Sequence, residues 1–216
     1  MKPSSEKRLQ QLHPALASRV RAMVADLAAQ GTVVEVVQGL RTFAEQDELY
    51  AKGRTKPGAI VTQARGGESN HNYGLAVDLC PFTNDKPDWN APMGVWAAIG
   101  AAAAAHGLEW GGQWKKFLDK PHVQLPAMTV RECARCYQAG GLDSVWVAAA
   151  QKIGWTEPLG AAPRLIQRRR TGGKAASREP GGRKGAASRA RSRRVKGGRT
   201  ARTPTRAGAR RRRSRS

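Results

Sequence analysis

The 216-residue chain has few cysteines and no long hydrophobic run. Its three cysteines (Cys80, Cys133 and Cys136) are too few to form a disulfide framework in a chain of this size. The longest nearly apolar run, residues 95–105, is much shorter than the roughly 20 residues that a membrane-spanning helix needs. Near the start of the chain, no apolar segment is followed by a small-residue cleavage site. We therefore expect a cytoplasmic protein without a secretory signal.

Acidic and aromatic residues are almost absent from residues 160–216. This segment has 21 lysines and arginines and one acidic residue, Glu179, whereas residues 1–159 have 17 basic and 15 acidic residues. All tryptophans, tyrosines and phenylalanines precede residue 160. Such a segment cannot form a core and repels itself, so we expect it to be disordered. The sequence predicts one globular domain, residues 1–159, followed by an Arg-rich tail that carries nearly all of the net charge of +22.

Hydrophobic periodicity predicts helices and strands in mixed order within the globular domain. Apolar residues at helical spacing predict helices over residues 9–30, 44–52, 91–106, 129–139 and 142–153. β-branched or alternating segments predict strands over residues 32–40, 74–82, 108–111 and 122–125. The order shows no regular βαβ alternation. It therefore predicts an α+β fold with a small, mainly antiparallel sheet and flanking helices.

Two of the four histidines lie in segments that suit a metal site. His71 (in SNHNYGLAVD) and His122 (in DKPH) each stand where a loop leads into a strand, close to acidic residues. His13 and His106 lie at helices, and we expect structural roles for both. Asp78, on an otherwise apolar strand, needs a partner, and zinc takes histidine and carboxylate ligands. By spacing alone, a zinc site and two structural histidines are equally good interpretations.

A longer pattern resembles a known family of zinc peptidases. Its fixed positions are Ser69-x-His71-x-x-Gly74-x-Ala76-x-Asp78, Trp110-Gly111-Gly112-x-Trp114 and Asp119-x-Pro121-His122. Together with GLRTFAEQDELYAKGRTKPGAIVT (39–62), the pattern resembles the D-Ala-D-Ala carboxypeptidase and VanY-type superfamily. Within that superfamily it is most similar to the L-alanyl-D-glutamate peptidases found as phage endolysins. The resemblance covers residues 38–125, is completed by helices over 129–154, and implies a hedgehog/DD-peptidase-like α+β fold.

The resemblance implies a metal centre with one Zn²⁺ per chain. It implies that His71, Asp78 and His122 bind the ion and that Asp119 is the general base. These residue types suit hydrolysis by a metal-activated water, because a nearby carboxylate can take the proton of that water. Without the adjacent His122, a solvated loop carboxylate would be the default interpretation of Asp119.

The resemblance also implies substrate-binding residues. Arg41 would stabilise the developing oxyanion or bind a substrate carboxylate. Gln46 and Ser69 would contact the substrate, although a surface polar role for Gln46 and loop capping by Ser69 are alternatives. Gln113 stands where many relatives have Asp, which removes a charge near the site but leaves the metal ligands unchanged.

The CxxC pair Cys133 and Cys136 resembles half of a zinc site. No second pair or nearby histidine follows to complete four ligands. Because the pair lies in a predicted helix, we favour core positions for both cysteines over a redox or metal role.

The implied function is hydrolysis of the L-Ala–D-Glu bond of the peptidoglycan stem peptide, with cell wall degradation and host lysis. A D,D- or L,D-carboxypeptidase with the same metal centre is one alternative. A polyanion-binding protein that acts through its tail, with a silent peptidase-like domain, is another. Residues 140–146 (GGLDSVW) resemble the segment that follows the catalytic domain in phage relatives.

The tail predicts further partners. Its composition suits lipopolysaccharide, anionic membrane, wall polymers or non-specific nucleic acid, all through salt-sensitive attraction. With no visible signal, an endolysin would remain in the host cytoplasm and reach the wall or periplasm after membrane permeabilisation. We expect a monomer.

Overall fold

A small antiparallel sheet forms the centre of the protein in a computed structural model, which describes residues 1–164. The strands are β1 (Val34–Gln38), β2 (Ala76–Thr83), β3 (Lys86–Pro87), β4 (Glu109–Trp110) and β5 (His122–Gln124). Their order is β1-β2-β5-β4, with β3 paired to the end of β2, and every pairing is antiparallel. The predicted α+β fold with a small antiparallel sheet is confirmed. Of the tail predicted to be disordered, residues 160–216, the part from residue 165 onward lies outside the described residues.

Helices flank this sheet. They are α1 (Pro3–Leu9), α2 (Pro14–Ala29), α3 (Phe43–Ala51), α4 (Met93–Ala105) and α5 (Val130–Ile153). Two short 3₁₀ helices, Asn70–Tyr73 and Gly111–Gln113, lie near β2 and β4. Helices α1 and α2 contact β1, α4 contacts β4 and α2, and α5 packs against the 3₁₀ helix Asn70–Tyr73. Within residues 1–164, no helix combines the length and the apolar character that crossing a membrane would need.

The helix predicted over residues 9–30 begins later than expected: α2 spans Pro14–Ala29, and a separate helix, α1, ends at Leu9. Pro14 has no N–H to donate and disfavours the helical conformation at the residue before it. His13 is accordingly non-helical and caps α2, with its Nδ1 accepting from the Ala15 N–H at 3.1 Å. Its Nε2 lies 3.1 Å from the Trp146 carbonyl oxygen, and the residue is fully buried. The structural role expected for His13 is confirmed.

A break divides α5 into two helical segments. Gly141, at φ 69°, and Gly140 are non-helical, which separates the segments that the sequence predicts over 129–139 and 142–153. Cys133 is buried in the first segment, and burial raises the pKa of its thiol to about 12. This thiol is therefore a core group, as the sequence indicates. Packing continues past residue 159, since Ala162 is buried and its N–H donates to Asp143.

The sheet register creates the geometry of the site. Asp78 on β2 lies directly opposite His122 on β5. Residues that pair across antiparallel strands point to the same face of the sheet, so these two side chains meet. The 3₁₀ helix that carries His71 ends two residues before β2 begins, which brings a third polar side chain close to the same face.

Candidate active site

Three side chains converge at the centre of the sheet. His71 Nε2 lies 3.1 Å from Asp78 Oδ1 and 3.2 Å from His122 Nδ1, and His122 Nδ1 lies 3.6 Å from Asp78 Oδ1. One ligand atom from each residue falls within 4.8 Å of the others. The structure therefore brings together all three residues for which the resemblance implies metal binding.

The main chain orients His71. Ser69 caps the 3₁₀ helix and accepts from the His71 N–H at 3.4 Å, and Gly74 ends it in the left-handed conformation at φ 66°. A Cβ at Gly74 would also lie 3.2 Å from Trp146 Nε1, so both the backbone conformation and the space available favour glycine at this position. His71 Nδ1 is 2.8 Å from the Gly39 carbonyl oxygen. Because a carbonyl only accepts, Nδ1 carries the proton and Nε2 is free to bind a metal.

Side chains orient His122. Its Nε2 is 3.0 Å from Gln124 Oε1, and the Trp114 ring packs against its ring with centroids 4.9 Å apart. Gln124 Nε2 and Trp114 Nε1 both donate to Glu109, at 2.8 and 2.6 Å. Donation from Nε2 to the Gln124 oxygen leaves His122 Nδ1 without a proton and facing Asp78.

These contacts show that the three residues fit a zinc ion. The unprotonated ring nitrogens of His71 and His122 face each other and the Asp78 carboxylate, so three electron-pair donors surround one point. Such a cluster is stable only with a cation among its members, either a proton or a metal. Two histidine nitrogens and one carboxylate oxygen are a three-ligand set of the kind found in catalytic zinc sites.

The ionisation of the cluster is consistent with this requirement. Burial raises the pKa of Asp78, but the neighbouring His71 and His122 outweigh burial, so that the pKa lies well below its usual range. Burial lowers the pKa of His122, whereas its contacts with Asp78 and Gln124 raise it above the usual value overall. Asp78 is thus a carboxylate that attracts positive charge into the site.

Asp119 is held beside the cluster by a tight turn. Its carbonyl accepts from the His122 N–H at 3.2 Å, and its N–H donates to the Gly111 carbonyl at 3.0 Å. A Cβ at Gly111 would lie 2.6 Å from the main-chain oxygen of Asp119, so the close contact between these two backbone segments requires glycine. Burial and the charge of Asp78 raise the pKa of Asp119. A carboxyl with a raised pKa beside metal ligands suits proton transfer.

Arg41 reaches the cluster from the end of β1. Its Nη2 donates to Asp78 Oδ2 at 3.4 Å, and its Nη1 donates to Gln46 Oε1 at 2.7 Å. The side chain is only 11% exposed but lines the cleft. Burial lowers the pKa of Arg41, although a guanidinium keeps its charge at physiological pH. The structure therefore holds a cation in fixed orientation next to the metal ligands.

Gln46 and Ser69 occupy different positions relative to the cleft. Ser69 lines it, whereas Gln46 is fully buried and lies behind Arg41. Gln46 Nε2 donates to the Ala64 carbonyl at 2.9 Å, which ties the Arg41 side chain to the loop before residue 69. The structure brings Gln46 to Arg41 and not into the cleft lining; substrate contact by either residue stays a prediction.

The site opens into a cleft of about 1190 Å³. Among the lining side chains are the exposed apolar groups of Val61, Trp89 and Phe117. The charged lining residues away from the cluster include Glu45, Glu48, Glu68 and Lys52. A cleft of this size with apolar walls and a polar centre suits an extended peptide.

Gln124, Glu109 and Asn70 support the site but belong to none of the motif positions in the sequence. The one available signal is that Gln124 follows His122 by two residues on a strand and so shares its face. Trp114 lies inside the motif, but its contact with His122 depends on the tertiary structure. Gln113, where many relatives have Asp, is exposed and does not line the cleft.

Comparisons with known proteins identify the family. The family model described as D-alanyl-D-alanine carboxypeptidase matches residues 62–125. The chain is 44% identical over 125 residues to the peptidoglycan L-alanyl-D-glutamate endopeptidase CwlK of Bacillus subtilis (strain 168), which covers 53% of this chain and 73% of that protein.

Solved structures with similarity to this chain include two peptidases. The L-Ala D-Glu endopeptidase ChiX of Serratia marcescens is 31% identical, with a TM-score of 0.46 over 61% of this chain and 91% of that one. The D,D-pentapeptidase VanY of the VanB-type resistance cassette, solved with Zn(II), is 18% identical, with a TM-score of 0.41 over 60% of this chain and 80% of that one.

The matched segment contains the centre of the site described above. Residues 62–125 include His71, Asp78, Asp119 and His122, whereas Arg41 and Gln46 precede the segment. M15 peptidases are zinc-dependent, and the donor set of this chain fits zinc. The chain belongs to peptidase family M15, the family of the D-alanyl-D-alanine carboxypeptidases.

Proposed function

We propose that this protein is a zinc-dependent peptidoglycan endopeptidase that hydrolyses the L-Ala–D-Glu bond of the stem peptide. The observation that carries the bond specificity is the 44% identity to CwlK, which is named for that activity. The cluster of His71, Asp78 and His122, with Asp119 beside it, supports metal-assisted hydrolysis as the reaction type.

His71, Asp78 and His122 would hold Zn²⁺, which when bound supplies a Lewis acid that polarises the scissile carbonyl and acidifies water. Asp119 accepts the proton of the attacking water through its carboxylate. The same carboxyl then returns the proton to the leaving amine. Its raised pKa favours the first step, because the conjugate base of a weaker acid is a better proton acceptor.

Arg41 stabilises the negative charge that develops on the carbonyl oxygen. Its guanidinium is held at two points, by Gln46 and by Asp78, before substrate arrives. A preoriented donor gains more in the transition state than a mobile one, because no reorganisation is needed during the reaction.

Mass spectrometry of digested peptidoglycan tests this proposal. The zinc-loaded full chain should release peptides that begin with D-Glu and leave L-Ala on the muramoyl group. The Asp119→Asn variant is the matched control and should release little of either product. Release of single terminal residues would show a D,D- or L,D-carboxypeptidase, and no turnover by zinc-loaded protein would favour the silent, polyanion-binding alternative.

We further propose that the protein acts as an endolysin whose basic tail concentrates it on an anionic envelope. Residues 160–216 carry a net charge of +20, so lipopolysaccharide, anionic membrane and wall polymers would attract them. Replacing the arginines of residues 165–216 with glutamine should leave hydrolysis of a purified stem peptide unchanged and weaken lysis of whole cells. Equal loss of both activities would contradict the proposal. Binding of the unsubstituted protein to nucleic acid, without binding to lipopolysaccharide, anionic membrane or wall polymers, would identify a different partner.

The endolysin role also predicts where the protein acts. Expressed inside bacterial cells, it should accumulate without lysis until the inner membrane is permeabilised and then lyse the culture. Lysis without permeabilisation would contradict a cytoplasmic location before lysis. The His71→Ala variant should fail to lyse under either condition.

A further inference from the structure

We propose that Glu109, acting through the side-chain amide of Gln124, is a positioning residue that sets the tautomer of His122 for metal binding. The three side chains form a chain of hydrogen bonds directed away from the metal site. Gln124 Nε2 donates to Glu109 Oε2 at 2.8 Å, and His122 Nε2 donates to Gln124 Oε1 at 3.0 Å. This inference rests on the zinc site and not on which peptide bond is cleaved.

The direction of the chain is determined by the carboxylate. An ionised Glu109 only accepts hydrogen bonds, so the NH₂ group of Gln124 must face it and the amide oxygen must face His122. Asn70 strengthens this orientation, because its Nδ2 donates to the same Gln124 oxygen at 2.6 Å. A reversed amide would place its NH₂ group against two donors.

The hydrogen bond from Asn70 to Gln124 leaves another polar atom of Asn70 without a partner, which lowers the stability of the fold. Within the described residues, Asn70 Oδ1 is buried without a hydrogen-bond partner. A buried acceptor without a partner destabilises a fold by about 1–3 kcal/mol. Turning the Asn70 amide would place its oxygen against Gln124 Oε1, so the unpaired oxygen is the consequence of donating to Gln124.

Glu109 also holds the second contact of His122. Its other carboxylate oxygen accepts from Trp114 Nε1 at 2.6 Å, and the Trp114 ring packs on the imidazole. One exposed carboxylate therefore orients both neighbours of the metal-binding ring. His71 differs, because its Nδ1 donates to the main-chain carbonyl of Gly39, which no side-chain substitution removes.

Zinc affinity and imidazole NMR test the proposal on the full-length protein. Gln124→Leu removes the acceptor and should weaken zinc binding, measured by chelator competition, by about 10- to 100-fold. In long-range ¹H–¹⁵N spectra recorded before and after zinc removal, the Nε2–H signal of His122 should lose its single, exchange-protected form. The Nδ1–H signal of His71, which is bonded to the Gly39 carbonyl, should be retained in the variant at the same zinc content as the wild type and serves as an internal control.

Three further variants complete the test. Gln124→Glu keeps an acceptor towards His122 and should retain the Nε2–H tautomer. Glu109→Ala changes an exposed side chain and should weaken zinc binding by less than Gln124→Leu, since the Gln124 amide can then rotate. Gln151→Leu, at an exposed helix position far along the chain, should leave zinc affinity and both histidines unchanged.

Two results would overturn the proposal. The first is zinc affinity within twofold of the wild type together with an unchanged Nε2–H signal of His122 in either Gln124→Leu or Glu109→Ala. The second is an equal change in the signals of His71 and His122, which would show a general loss of structure. Neither measurement depends on hydrolysis, so failure of the proposed bond specificity would leave this test intact.

Discussion

The two halves of the active site are held by different kinds of contact. The first half-site, residues 39–78, holds His71 through the Gly39 carbonyl and a capped 3₁₀ helix. The second half-site, residues 109–124, holds His122 through the side chains of Gln124 and Trp114. The first is therefore a property of the backbone path, whereas the second depends on side chains that single substitutions can remove.

The surroundings of the two half-sites follow the same division. His13 donates its N–H to the Gly74 carbonyl at 3.0 Å, and Trp146 Nε1 donates to the Tyr73 carbonyl at 3.0 Å. These buried groups attach the first half-site to the core. The second half-site instead ends at Glu109, which is exposed. We expect substitutions in the first half-site to affect stability and function together, and those in the second to affect function more selectively.

The largest effect is expected from removing either histidine ligand. His71→Ala and His122→Ala should both lose zinc and lower kcat/KM by about 10³-fold or more, since metal assistance supplies several kcal/mol. Only His71→Ala should also leave a buried main-chain carbonyl unpaired, which lowers the free energy of unfolding by about 1–3 kcal/mol more. Zinc analysis measures the loss of metal, and denaturant unfolding of the metal-free proteins measures the difference in the free energy of unfolding. Equal destabilisation by the two variants would remove the distinction between the half-sites.

Asp119→Asn should have the next largest effect. Loss of the proton acceptor should lower kcat by about 10²- to 10⁴-fold, with zinc content unchanged. Because the pKa of Asp119 is raised, the wild-type rate should fall with decreasing pH at a pH above about 3.9, the ordinary value for Asp. This acid limb should be absent from the rate profile of the variant. A variant that keeps the same acid limb would assign it to another group.

Gln46→Leu should have a moderate effect that acts through Arg41. The substitution frees one side of the guanidinium and should lower kcat by about tenfold, part of the 10²- to 10³-fold that an oxyanion donor can supply. Combined with Arg41→Ala, it should add little, because both changes remove the same interaction. Kinetics of the two single variants and the double variant form the test. Full additivity would indicate that Gln46 acts independently, for example by contacting substrate.

The smallest expected effect is on the pH dependence of the free energy of unfolding, through the buried His13 beside the first half-site. Burial lowers the pKa of His13, so the folded state holds it neutral while the unfolded state protonates it below about pH 6.5. The unfolded state then binds more protons, and this contribution to stability, complete above that pH, is lost as pH falls towards the folded pKa.

His13→Asn keeps a capping acceptor and removes the titrating group. It should lower the free energy of unfolding at pH 8 by about 1 kcal/mol through the lost contact with Trp146. The further loss between pH 8 and pH 5.5 should be smaller than in the wild type. Urea unfolding at several pH values measures the difference, and parallel pH profiles would show that His13 does not carry the effect.

Much of the fold could be predicted from local sequence patterns. Periodicity located four of the five strands of the described residues and most helices, and the glycine pair at 140–141 separated the last two helical segments. It missed the short elements α1 and β3. The start of the helix predicted over residues 9–30 was placed too early, because the apolar spacing continues across Pro14 and hydrophobic periodicity carries no information about a missing N–H. Strand order and register involve residues far apart in the chain, so local patterns did not contain them.

The sequence by itself determined which residue types are available for the chemistry. The resemblance of the motif to the zinc peptidases implied roles for His71, Asp78, Asp119 and His122, whereas their spacing alone left structural roles equally open. Only the tertiary structure decided how they are held. The pairing of Asp78 with His122, the placement of Gln46 behind Arg41 and the hydrogen bonds from Glu109 to His122 all join separate segments. Hydrogen-bond direction, and with it the tautomer of each histidine, exists only once those segments have packed together.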